Sequence, residues 1–226
     1  MGFIPVPNAN LALAATLRIT EIFHSLQGES SRVGLPTVFI RLTGCPLRCG
    51  YCDTSYAFTG GENNDIATIL EKVASFNTPY VCVTGGEPLA QKACLILLEA
   101  LCDGGYSVSL ETSGALPIEN VDTRVARIVD IKTPGSGEVE KNRWDNLKSL
   151  TQHDEVKFVL CDAADYAWAK NILLEYRLPQ TCTVLFSPVH GDVDPTQLAE
   201  WILRDQLPVR MQVQLHKYLW DNARAR

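Results

Sequence analysis

Residues 36–52 read PTVFIRLTGCPLRCGYC. Apart from Pro36 and Arg41, residues 36–42 are aliphatic, aromatic or β-branched, which predicts a buried strand. The remainder is a loop built round Cys45, Cys49 and Cys52 in the spacing C-x3-C-x2-C. Three thiolates on one tight loop suit three corners of a 4Fe–4S cube. An iron–sulfur electron carrier would close the cube with a fourth cysteine, and none stands nearby. Three local ligands leave one iron open, and an open coordination position implies chemistry. Structural zinc usually takes four ligands in C-x2-C pairs. At this point a distant fourth ligand, a non-catalytic electron carrier and a zinc-stabilised binding module stay open as alternatives.

Outward from the loop, one unit recurs: an apolar strand, then a polar turn. Strands are predicted at 18–24, 80–84, 106–110, 127–131, 154–160, 181–186 and 209–215. Helices are predicted at 65–76, where Ile66, Ile69, Leu70, Val73 and Phe76 share a face, and at 89–102, 163–176 and 194–206. Asp194 opens the last of these with Pro195 at its first position. The polar stretch before residue 152 is partly helical round 144–150. Strand and helix alternate with crossovers that suit parallel pairing. The segments Gly85-Gly86-Glu87-Pro88, Glu111-Thr112-Ser113-Gly114, Ile131-Lys132-Thr133-Pro134-Gly135, Ser187-Pro188-Val189-His190-Gly191 and Leu215-His216-Lys217 all follow strands. Parallel α/β folds build their sites along that edge. The repeating run is about 200 residues, short of the roughly 250 of a closed eight-unit barrel. The expected fold is therefore α/β, a partial TIM-type β/α barrel with parallel strands. Residues 1–17 are read as an N-terminal extension and 18–226 as a single domain.

The composition narrows the function. The 226 residues are 46% hydrophobic and 20% charged, which supports a real core and excludes a disordered chain. The formal net charge of −6, with no Lys/Arg block, argues against nucleic-acid binding. No apolar run is long enough to span a membrane. The short apolar stretch 11–15 has no basic flank, so it does not read as a secretory signal. Cys82, Cys94, Cys102, Cys161 and Cys182 are dispersed, mostly in apolar surroundings. They read as free thiols, and a reducing cytoplasm is the expected location.

A cysteine triplet followed, after the next strand, by Gly85-Gly86-Glu87-Pro88 resembles the radical S-adenosylmethionine (SAM) enzymes. In that superfamily the amino and carboxylate groups of SAM chelate the open iron, and a barrel interior shelters the radical produced. The glycines allow close backbone approach, and the region of Glu87 suits the SAM ammonium. Further segments narrow the resemblance: EIFHSLQGE at 21–29, VFIRLTGC at 38–45, Cys52-Asp53-Thr54, Glu111-Thr112-Ser113-Gly114 and HKYL at 216–219. Taken in order, they are similar to the 7-carboxy-7-deazaguanine synthase family, over nearly the whole chain. That family converts 6-carboxy-5,6,7,8-tetrahydropterin to 7-carboxy-7-deazaguanine with loss of ammonia, on the route to deazapurines such as queuosine.

The resemblance implies that Cys45, Cys49 and Cys52 hold one 4Fe–4S cluster. It places Tyr51, Cys52, Asp53, Gly86, Ser113, Asp130, Ile131, Lys132, Ser187, Pro188, Val189 and His190 against SAM. It places Leu26, Gln27, Gly28, Arg41 and Thr84 on the pterin, and Thr54 on Mg2+. It implies an external one-electron reductant of flavodoxin or ferredoxin type, and a homodimer. No catalytic acid or base is assigned, and the C-terminal contact is left unassigned.

The chemistry of these residue types supports several of the roles beside a bland alternative. Arg41 suits bidentate pairing with the 6-carboxylate, or else a structural ion pair. Gln27 and Glu29 match the N–H pair of a guanidine-like ring, or else form a solvated turn. Lys132 meets a SAM carboxylate or is solvated. A hydroxyl such as that of Thr54 is a fitting but weak ligand for Mg2+. His24 and His216 lie by candidate site loops, and His190 sits in a turn suited to lining the ribose; His153 reads as surface. Trp144, Trp168, Trp201 and Trp220 read as packing or dimer contacts. The runner-up enzyme is a glycyl-radical-enzyme activating enzyme, which shares the cysteine loop but needs an open groove for a polypeptide.

Overall fold

Alternation along the central strands decides which side of the sheet becomes core and which becomes site. The structure, a computed structural model, describes residues 13–221 and 223–225. The strands are β1 (Thr16–Leu26), β2 (Pro36–Leu42), β3 (Glu62–Asp65), β4 (Tyr80–Gly85), β5 (Ser107–Thr112), β6 (Ala126–Asp130), β7 (Glu155–Leu160), β8 (Thr183–Pro188) and β9 (Arg210–Met211). The helices are α1 (Ile66–Ala74), α2 (Cys94–Asp103), α3 (Ala163–Glu175), α4 (Pro195–Asp205) and α5 (Leu215–Trp220). One sheet runs β3-β1-β2-β4-β5-β6-β7-β8-β9. From β2 to β9 every pairing is parallel. Helices α1 to α4 cover its outer face; an irregular segment before β6 and three short 3-10 turns after it stand in place of helices. Among the described residues β3 and β9 remain separate edges, so the barrel is incomplete as expected.

On β2, Val38, Ile40 and Leu42 point outward into the core that the helices seal. Val81 and Val83 of β4, Val108 and Leu110 of β5, and Val156, Phe158 and Leu160 of β7 do the same. Each such side chain, fully buried, contributes roughly 1.5–3 kcal/mol. Helix α1 presents Ile66, Ile69 and Val73 to this core, and Asp65 caps it by accepting from the Thr68 N–H at 2.7 Å. Asp194 caps α4 in the same way, ahead of Pro195.

Four expectations change. Strand β1 runs antiparallel to β2, and β3 antiparallel to β1, so the sheet is not parallel throughout. The four residues of β3 (Glu-Asn-Asn-Asp) carry no strand signal, and they pair only because the start of β1 offers a free edge. Residues Thr16 and Leu17, read as part of the extension, belong to β1, and Leu17 is buried in the core. Residues 1–12 of that extension lie outside the described residues. The predicted helix 89–102 begins only at Cys94, because the side chain of Gln91 turns inward. Its Oε1 accepts from the Arg18 N–H, and its Nε2 donates to the carbonyls of Arg18 and Thr43. Finally, the last strand keeps only Arg210–Met211. The chain leaves the sheet to cover the β1–β2 loop, where the Leu215 N–H donates to the Gly28 carbonyl, so His216 and Lys217 ride on α5.

The β1–β2 loop reaches across the concave side. The Ser30 N–H donates to Gln212 Oε1 at 2.8 Å, and the Ser31 N–H and hydroxyl bond Glu155 at the start of β7. These ties pull opposite parts of the sheet toward each other and give the cavity its floor.

Candidate active site

The inward-facing residues of the parallel strands form one row. Arg41 pairs in register with Thr84, Glu111 with Ile128, and Asp130 with Lys157. All six line a cavity of about 230 Å³, with the cysteine loop at one end and the β1–β2 loop at the other. Charged groups at such positions are affordable only with partners or a ligand.

Cys45, Cys49 and Cys52 are free thiols that all reach the cavity. Burial pushes the Cys45 and Cys49 thiols up, while Lys132 partly offsets this at Cys49. The loop is clamped from β4: the Gly86 N–H donates to the Leu42 carbonyl and the Glu87 N–H to the Gly44 carbonyl. A Cβ at Gly86 would stand 2.1 Å from the Gly44 oxygen, so only glycine permits this approach. Among the described residues, no three His, Cys, Asp or Glu side chains are grouped to hold a single metal ion.

Glu87 does not face the cavity. Its carboxylate is 0% exposed and accepts from the Leu89 N–H, the Ser113 N–H and the hydroxyls of Thr112 and Ser113. Four donors occupy the four lone-pair sites of a carboxylate. The carboxylate itself has no acceptor capacity left for an ammonium and takes a structural role: it pins the end of β5 against the glycine turn, while the adjoining Gly86 lines the cavity.

On the SAM-facing side expected from sequence, Tyr51, Asp130 and Lys132 meet. Lys132 Nζ lies 2.9 Å from Asp130 Oδ2 and over the Tyr51 ring. The Tyr51 hydroxyl and Asp130 Oδ1 are buried without partners. Burial works against the charge on Asp130, but Lys132 and Lys157 outweigh it and hold its carboxyl below the usual range. Burial and the neighbouring Asp130 push the Tyr51 phenol up, so it stays neutral.

On the side expected from sequence to face the pterin, Gln27 is held at both ends: Oε1 accepts from the Glu29 N–H and Nε2 donates to Glu111 Oε1. Glu111 Oε2 accepts from the Thr84 hydroxyl at 3.0 Å. Arg41 Nε is bound to Glu21 at 2.7 Å, and the Tyr56 hydroxyl donates to the same oxygen, so the structural ion pair is real. The guanidinium nonetheless lines the cavity and keeps its two terminal nitrogens for another anion. His216 stands so close to the loop that a Cβ on Gly28 would fall 2.2 Å from its Nδ1. Lys217 Nζ lies 3.3 Å from Asp53 Oδ2, and the Thr54 hydroxyl donates to Asp53 Oδ1 at 2.7 Å.

Most sequence-predicted residues therefore converge. Leu26, Gln27, Gly28, Arg41, Tyr51, Cys52, Asp53, Thr54, Thr84, Gly86, Ser113, Asp130, Lys132, Val189 and His190 share the cavity with the cysteines. Three expectations change. The Ile131 side chain is packed in the core, because the alternation after Asp130 turns it outward. Ser187 and Pro188 are buried in β8 and do not line the cavity, and the Ser187 hydroxyl is left without a partner. Any contact of these three with a nucleotide would come through the backbone at the strand ends. His24 points away, beside Phe76. Trp144, Trp168 and Trp201 pack on neighbouring aromatics.

Sequence reasoning missed Glu111 and Lys157 as individual site residues, along with Phe23 and Phe39, which stack at 5.0 Å and reach the cavity. A signal for the first two was available: a charged residue within an otherwise apolar strand of a parallel sheet needs a reason.

The residues present fit the groups that the resemblance implies. Three soft thiols face the cavity without disulfides, and three unpartnered buried oxygens (Glu29 Oε1, Tyr51 Oη, Asp130 Oδ1) belong to residues that line it.

Residues 39–130 match the family described as the radical SAM superfamily. A 7-carboxy-7-deazaguanine synthase of Chlorobaculum tepidum is 48% identical over 214 residues, covering 93% of this chain and 97% of that one. One of Koribacter versatilis is 44% identical, covering 90% and 97%. Among solved structures, QueE from Escherichia coli superposes with a TM-score of 0.77 at 24% identity, over 93% of this chain and 100% of that one. This last likeness speaks for the fold.

Proposed function

The chain belongs to the 7-carboxy-7-deazaguanine synthase family of radical SAM enzymes, and on that premise we propose that it converts 6-carboxy-5,6,7,8-tetrahydropterin to 7-carboxy-7-deazaguanine with loss of ammonia. Membership implies a 4Fe–4S cluster, SAM and a source of single electrons. The observation that carries the reading is the shared cavity: its lining brings the three cysteines together with Arg41 and with a buried, partly unpaired carboxylate, that of Glu29.

In this reading Cys45, Cys49 and Cys52 hold the cluster. When bound, the cluster and SAM supply a carbon-centred radical that takes hydrogen from a substrate. The protein's own residues bind and orient. Arg41 offers its terminal nitrogens to the pterin 6-carboxylate while Glu21 fixes its Nε. Gln27, Glu29 and Thr84 read the ring edge, with Glu111 fixing the rotamers of Gln27 and Thr84. Lys132 and Asp130 offer a cation and an acceptor to the amino-acid end of SAM. Tyr51, Asp53, Gly86, Ser113, Val189 and His190, with the backbone at Ile131, Ser187 and Pro188, line the rest of the nucleotide. Leu26 and the backbone of Gly28 close against the pterin. Thr54, next to Asp53, is the Mg2+ contact, the other ligands being substrate oxygens and water.

Closure matters because a carbon-centred radical quenches on stray hydrogen donors such as thiols and activated C–H groups. The β1–β2 loop and α5 meet through the Gly28–Leu215 backbone bond and cover one end of the cavity. That closure favours a small heterocycle over the polypeptide that a glycyl-radical activating enzyme would admit.

A homodimer, a reductant of flavodoxin or ferredoxin type and a cytoplasmic location complete the proposal. No helix among the described residues is long and apolar enough to cross a membrane. The test is anaerobic reconstitution with iron and sulfide, then incubation with SAM, Mg2+, dithionite and 6-carboxytetrahydropterin. The expected result is the ultraviolet-absorbing deazaguanine; a fully loaded protein that makes none refutes the assignment.

A further inference from the structure

Lys157 is the unassigned centre of the charged wall. It lies mid-strand on β7, is 9% exposed, and faces the cavity. Its Nζ is 2.7 Å from Glu29 Oε2, across 128 residues of sequence, and 3.6 Å from Asp130 Oδ2. Asp130 Oδ2 is in turn 2.9 Å from Lys132 Nζ. Each carboxylate therefore spends one oxygen on an ammonium and keeps the other, Glu29 Oε1 or Asp130 Oδ1, buried and unpaired. A buried acceptor left without a donor is costly unless a ligand supplies one.

We propose that Lys157 is a positioning residue that sets substrate specificity: it ties down one oxygen of Glu29 so that the other is presented as an acceptor to the N–H donors of a 2-amino-4-oxo heterocycle. This rests on the pterin reading above and adds the element that selects the ring edge. The ammonium at 2.7 Å fixes which Glu29 oxygen is turned away from the lysine, and a carboxylate oxygen offers a ring only an acceptor. Burial works against charge on Lys157, yet Glu29 and Asp130 outweigh it and hold the lysine protonated. A ring bearing a 2-oxo group in place of 2-amino would set acceptor against acceptor in a dry site. Sites built this way reject the mismatched analogue by large factors. Because the same ammonium also reaches Asp130, it joins the two ends of the cavity.

The test compares the reconstituted wild type with Lys157→Met, Lys157→Arg and the double variant Lys157→Met/Glu29→Gln. Each is assayed for binding and turnover of 6-carboxytetrahydropterin and of its 2-oxo counterpart, with iron and sulfide content and thermal midpoint recorded beside them. Lys157→Met is expected to raise KM for the pterin about 10- to 100-fold, with a smaller change in kcat. The preference for 2-amino over 2-oxo narrows at least about tenfold. Lys157→Arg recovers most of that preference. The double variant removes both members of the ion pair, so it folds with near-normal stability while its selectivity stays low. An unchanged KM and preference in Lys157→Met, with only a lower thermal midpoint, overturns the proposal. If Lys157→Met does not fold, wild-type selectivity in the double variant overturns it instead. A loaded wild type that binds neither compound overturns the pterin reading and this one together.

Discussion

Replacing Glu87 with glutamine keeps the side-chain shape and removes one acceptor at a fully buried site. In the wild type, Oε2 receives the Ser113 N–H at 2.7 Å together with the Ser113 hydroxyl. Oε1 receives the Leu89 N–H at 3.0 Å, and the Thr112 hydroxyl lies between the two oxygens. In Glu87→Gln the oxygen can stay on Leu89, while the amide nitrogen then faces the Ser113 N–H, donor against donor. The two hydroxyls can rotate to accept; the backbone N–H cannot. Its desolvation costs about 1–3 kcal/mol, and losing the charge assistance adds roughly 1–2 kcal/mol, for about 2–5 kcal/mol in all. Anaerobic urea unfolding of the loaded protein should show this loss at an unchanged m-value. SAM affinity, measured by equilibrium dialysis, should fall only severalfold, through displacement of Ser113. Stability within about 0.5 kcal/mol of wild type, together with a hundredfold loss of SAM affinity, would refute the reasoning and put this carboxylate on the SAM ammonium after all.

Three further outcomes are expected. Cys49→Ala should lose the cluster absorbance and all turnover, while Cys102→Ser, outside the cavity lining, should change neither; the measurements are iron–sulfide content and product formation. Gly86→Ala should drive the cysteine loop away from β4, since its Cβ would sit 2.1 Å from the Gly44 oxygen, lowering stability by about 1–3 kcal/mol and cluster loading severalfold. For Asp154, burial disfavours the charge, but the hydrogen bonds from Arg127 outweigh it and hold the carboxyl below the usual range. A depressed folded value means that the pair's stabilisation is present above the ordinary carboxyl pKa of about 3.9 and is lost as pH falls toward the folded value. The difference in unfolding free energy between wild type and Asp154→Asn, about 3–5 kcal/mol near neutral pH, should therefore shrink steadily below about pH 4.

What the sequence determined by itself was local. The three cysteines lie within eight residues, so covalent geometry alone keeps them on one loop, and their spacing was legible without a fold. Apolar strands ending in glycine-rich turns were legible for the same reason. Once strands run parallel, all their C-terminal ends share one edge, which brought Gly86, Ser113, Asp130 and His190 together correctly. Only the tertiary structure decided what each polar side chain does there. The sequence places Glu87 in a region suited to an ammonium, but its carboxylate is filled by Thr112 and Ser113 at the end of the next strand. Ile131 and Lys132 are adjacent in sequence, yet one enters the core and the other the cavity, and that choice depends on where β6 ends. Lys157 reads in sequence as a lone cation in an apolar run. Its partners, Glu29 and Asp130, arrive from a distant loop and a neighbouring strand. Spacing along the chain fixes what neighbours can do together, but a buried charge takes its role from whatever the sheet's curvature sets opposite it.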